Sequence, residues 1–168
     1  RIVLREARRR LEEILSRRPE VRESDAHLEI RVLTPQEALG DPENREDFPL
    51  IRGKERLMEA TFEGFVGQAF TPWTASWSGP LSRWLELDPE EPGERPLVLA
   101  GLNALARRLG VVEEGTRHCR DEGPARCARE MEGRLRERLG EGGCLLQVGL
   151  QPAILKAAVR ALGPDRVR

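Results

Sequence analysis

The stretch Thr116-Arg117-His118-Cys119-Arg120-Asp121-Glu122-Gly123-Pro124-Ala125-Arg126-Cys127 gathers an imidazole, two thiols and two carboxylates. Thiolate and imidazole suit zinc, copper, nickel or iron, and carboxylates add hard oxygen ligands. The cluster nominates His118, Cys119, Asp121, Glu122 and Cys127 as metal ligands, with a transition metal of unspecified identity as the implied cofactor. The spacing is not that of a standard structural zinc site, which uses close pairs such as C-x-x-C.

Several of these residues also have ordinary structural duties. Cys127 continues the spacing of Met131, Leu135 and Leu139, so packing in the core is its leading expectation. Asp121 is expected to cap the helix that Pro124 opens, and Glu122 to sit in its first turn, where the helix dipole favours an acid. His118 and Cys119 are left as the strongest candidates. A catalytic alternative makes Cys119, beside Arg120 and near a helix N-terminus, a nucleophile, or His118 a general acid/base, acting on a small molecule. A metal-free binding or assembly module is a third reading. Lys54, Glu55 and Gln68 are minor candidates for lining a small-molecule cleft, whereas Glu59, Thr61 and Glu63 read as solvent-facing strand positions.

The elements that must position these groups are read from periodicity. Leu4, Ala7, Leu11, Ile14 and Leu15 recur at helical spacing within Val3 to Arg18, before Pro19. Ala26 to Leu33 alternates as a half-buried strand, with His27 on its polar face. Thr34 to Pro49, with three prolines, reads as a loop. Met58, Ala60 and Phe62, then Gly64, then Val66, Gln68 and Phe70 read as a hairpin. Thr71 to Gly79 reads as a loop, and Trp73, Trp77 and Trp84 as a plug at one end of the core in preference to an aromatic wall over a ligand.

Arg95 to Leu109 should be a buried helix stopped by Gly110, and Pro124 to Leu139 another, ended by Gly140. Cys144 to Val148 reads as an apolar strand and Pro152 to Leu162 as an amphipathic helix. The turn between them lacks G-x-G-x-x-G, so it is read as structural. The fold expected is α/β: residues 1–140 as an α+β domain with a three-stranded antiparallel meander backed by helices, and 141–168 as the first strand-helix unit of a parallel layer. The chain begins at Arg1 rather than methionine and ends at Asp165-Arg166-Val167-Arg168, where a strand is expected to start, so it is expected to be part of a longer protein.

Composition narrows the partners. With 168 residues, 39% of them hydrophobic and 34% charged, the chain can bury a core. Its 28 basic and 29 acidic residues give a net charge of -1, which argues against nucleic acid as the main partner. No apolar run approaches the roughly 18 residues needed to span a bilayer, so no membrane partner is expected. Three cysteines without a disulfide framework point to the cytoplasm. The partner expected is a small molecule or metal ion, and a homo-oligomer is compatible with this reading.

Four blocks in order, Gly53-Lys54-Glu55-Arg56-Leu57-Met58-Glu59-Ala60, Gly67-Gln68-Ala69-Phe70-Thr71, Leu102-Asn103-Ala104-Leu105 and Thr116 to Ala128, resemble the heavy-metal chelation family. The resemblance covers roughly Arg52 to Gly163. It implies an enolase N-terminal-like domain followed by a Rossmann-like domain, with a site where the two meet and with His118, Cys119, Asp121 and Glu122 as the signature and Cys127 downstream. Gly123 and Ala125 stand where further acidic residues are expected, which thins the carboxylate cluster. No barrel follows the small domain, so enolase chemistry is not implied.

Overall fold

The computed structural model describes residues 2–41, 49–112, 120–148 and 151–168. The chain forms two compact units, one of residues 1–38 and 54–118 and the other of 39–53 and 119–168. They cut the chain differently from the expected segments 1–140 and 141–168. In the second unit the helix before Gly140 packs on the helix after it.

The first unit is built on a sheet of β1 (His27–Val32), β2 (Arg56–Phe62), β3 (Phe65–Thr71) and β4 (Trp77–Pro80) in the order β3-β2-β1-β4, all neighbours antiparallel. Alternation works as expected in β1, where Leu28 and Ile30 are buried while His27, Glu29 and Arg31 are exposed. Met58, Ala60 and Phe62 of β2 join them in one core with Leu11 and Leu15 of α1 (Ile2–Leu15) and with Leu97, Val98, Ala104 and Leu105 of α6 (Arg95–Arg108). Each large apolar side chain buried there contributes roughly 1.5–3 kcal/mol. The other face carries a polar row: Arg31 bonds Glu37 at 2.6 Å and lies 3.6 Å from Glu59, which accepts from Gln68 at 2.9 Å.

The hairpin closes on Glu63 and Gly64, with Phe62 opposite Phe65. Both turn residues have positive φ, 48° and 80°, as a two-residue type I′ turn requires. Hydrogen bonds from Ser24 and Arg108 hold the Glu63 carboxyl below the usual range. Gly67 has a different task. A Cβ there would lie 2.0 Å from the backbone nitrogen of Ala104, so only glycine lets α6 approach β3 this closely.

Two loop expectations are corrected. Thr71 to Gly79 ends in β4, which pairs with β1 and turns the expected three-stranded meander into a four-stranded sheet. Thr34 opens α3 (Pro35–Leu39) with a capping box, its hydroxyl accepting from Glu37 N–H at 3.2 Å while Glu37 accepts from Thr34 N–H at 2.8 Å. Those bonds and Arg31 lower the Glu37 pKa to about 2. The same stretch ends in α4 (Pro49–Arg52), and 42–48 lie outside the described residues. At the start of the chain α1 stops at Leu15 rather than Arg18, because Pro19 opens a separate short helix, α2 (Pro19–Arg22). Trp84, in α5 (Leu81–Trp84), is fully buried and donates its indole N–H to Leu97 O, but Trp73 is 60% exposed, so the three tryptophans do not form one plug.

In the second unit α7 (Gly123–Leu139) packs on α8 (Pro152–Leu162), which is followed by a 3-10 turn, Pro164–Arg166. Their buried residues, Ala128 and Leu135 on one side and Ala157, Ala158 and Leu162 on the other, are mostly small, which favours close approach. The strand expected over Cys144 to Val148 reduces to one parallel bridge, Leu145 to Val167. Leu145 N–H donates to Arg166 O, Arg168 N–H to Leu145 O and Gln147 N–H to Arg168 O. A mixed α/β chain with an antiparallel sheet is therefore present. Among the described residues no helix is long and apolar enough to cross a membrane.

Candidate functional site

Of the five candidate ligands, His118 and Cys119 lie outside the described residues. Asp121, Glu122 and Cys127 belong to the second unit, at and just inside the start of α7.

Asp121 does not cap α7. The residue before the helix is Glu122, without a side-chain cap bond, and Asp121 has φ 52°, the left-handed region that aspartate tolerates better than most side chains. From there it reaches back to the end of α3. Its N–H donates to Leu39 O at 2.8 Å, and its Oδ1 accepts from Asp41 N–H at 2.9 Å. Gly40, itself left-handed at φ 67°, faces this carboxylate. A Cβ on Gly40 would stand 2.0 Å from Asp121 Oδ1, so glycine at 40 and aspartate at 121 fit as a pair. Sequence spacing could not reveal this, because the partners are 80 residues apart.

Cys127 is the second correction. It was expected in the core of its helix, yet it is exposed, and Ala128 takes the buried position beside it. Ala128 and Leu135, seven residues and about two turns apart, share the packed face, whereas the expected steps of four from Cys127 drift off it. Glu122 is exposed too. Among the described residues no three His, Cys, Asp or Glu side chains are close enough together to hold a metal ion.

The minor candidates belong to the first unit. Lys54 and Glu55 are exposed just ahead of β2, and Gln68 sits opposite Glu59 with its amide bonded to that carboxylate. Gln68 thus serves the polar face of the sheet. The same unit has an open cleft of about 460 Å³ between α1 and the turn at 86–89, which none of the candidates line. Arg8 dominates it, but that guanidinium is already engaged: it lies over the Trp84 ring at 5.6 Å and donates to Leu87 O and to Glu12. Arg5, Arg8 and Arg9 are matched there by Glu12, Glu86 and Asp88, so the lining carries no formal net charge.

The feature that sequence reading missed lies along β3. Asn103 Nδ2 donates to Gln68 O at 2.7 Å, and Arg107, one helical turn on, donates to Val66 O at 2.9 Å. These are the carbonyls of β3 on its outer edge. The i, i+4 spacing of two long polar residues on α6 was a usable signal.

No family model, curated protein or solved structure matches the chain.

Proposed function

We infer that the chain binds a metal ion or a metal-containing small molecule through the His118 to Cys127 stretch. The observation that carries this reading is the exposure of Cys127, which leaves its thiol outside the core on the helix that the stretch runs into. A nearby carboxylate is also oriented: Asp121 accepts a backbone N–H through one oxygen, as ligating carboxylates commonly do, and an ionised carboxylate has acceptor capacity on the other. Imidazole, thiolate and carboxylate form a donor set fit for a transition metal, and a bound ion would act there as a Lewis acid or a cargo. The resemblance to the heavy-metal chelation family supports the same reading.

For the architecture, we read the sheet and its helices as enolase N-terminal-like and residues 141–168 as the first strand-helix unit of a Rossmann-like layer. The parallel pairing of Leu145 with Val167 around α8 favours the latter, since a strand, a helix and a parallel strand form the repeating unit of such layers. A cytoplasmic location fits thiols kept reduced for a metal.

Elemental analysis of reduced, chelator-free protein equilibrated with zinc, nickel or copper tests the reading. About one equivalent of one metal is expected, with affinity at least about tenfold lower in His118→Ala and in Cys119→Ser. Well below one equivalent under every supplementation overturns it, and so does undiminished binding in both variants. If Cys119 instead alkylates far faster than Cys127 and Cys144 at neutral pH in metal-free protein, the stretch is a nucleophile's site.

A further inference from the structure

We draw no further inference here: the strongest candidate, the exposed face of Cys144, Leu146 and Val148 on the extended segment of the second unit, carries none because nothing in the structure shows what covers it.

Discussion

The two units each contain a strand edge, and they treat it in opposite ways. Along β3, α6 packs over the core face of the strand and supplies Asn103 and Arg107 to the carbonyls of Gln68 and Val66, while Arg108 bonds Glu63 and stacks over Phe65. Along Cys144 to Val148 the backbone of Leu146 meets no described group and the side chains beside it are apolar and exposed. An edge strand is a template for pairing unless it is covered. What separates the two regions is therefore a helix carrying polar side chains at the right interval, since both strands are apolar enough to recruit a neighbour.

Displacing that helix is the most damaging way to break the comparison. Gly67→Val would drive a side chain into the backbone of α6 at Ala104, and a loss of about 3 kcal/mol or more in denaturant unfolding is expected for the first unit. Stability near wild type would show that α6 is not held where the closed edge needs it. A milder change removes the caps and keeps the helix. Asn103→Ala and Arg107→Ala should each cost about 1 kcal/mol, and together should make β3 an association edge, read as increased self-association in sedimentation. If the double variant self-associates no more than the wild type in sedimentation, the caps do not guard the edge.

The smallest effect concerns pH. Glu63 has a folded pKa depressed below its unfolded value of roughly 4.3, so its contribution is present above that value and is lost as pH falls through the folded one. Unfolding free energy measured downward from about pH 5 should fall less steeply in Glu63→Gln than in the wild type. Equal slopes would mean that Ser24 and Arg108 do not tie the hairpin end in solution.

Much of the first unit was legible because its signals are periodic and local. The alternation of β1, the Met58-Ala60-Phe62 run and the apolar density of Arg95 to Leu109 each depend on neighbours within one element. What was misread had a signal of another kind. Thr34-Pro35-Gln36-Glu37 carries a capping box and a proline at the first helical position, yet the prolines and charges around it suggested a loop. β4 is too short to show a period, and its pairing with β1 decides it. At the candidate site Cys127 was misplaced because steps of four drift by about 40° each around a helix, so Cys127, two steps from Leu135, leaves the buried face, while Ala128, seven residues from Leu135, stays on it. The bond from Asp121 to residue 41 had no sequence signal at all.

That bond also bears on the order in which the chain assembles. The second unit is discontinuous, and joining Asp41 to Asp121 closes a loop of 80 residues. For a flexible chain the length-dependent part of that closure costs about 4 kcal/mol in entropy, several times what one hydrogen bond returns. The intervening stretch carries most of a core of its own, so its collapse shortens the loop that has to be closed. Chain entropy thus sets a sequence of events in which the sheet forms first, and the left-handed aspartate meets its glycine only after the excursion between them has already folded.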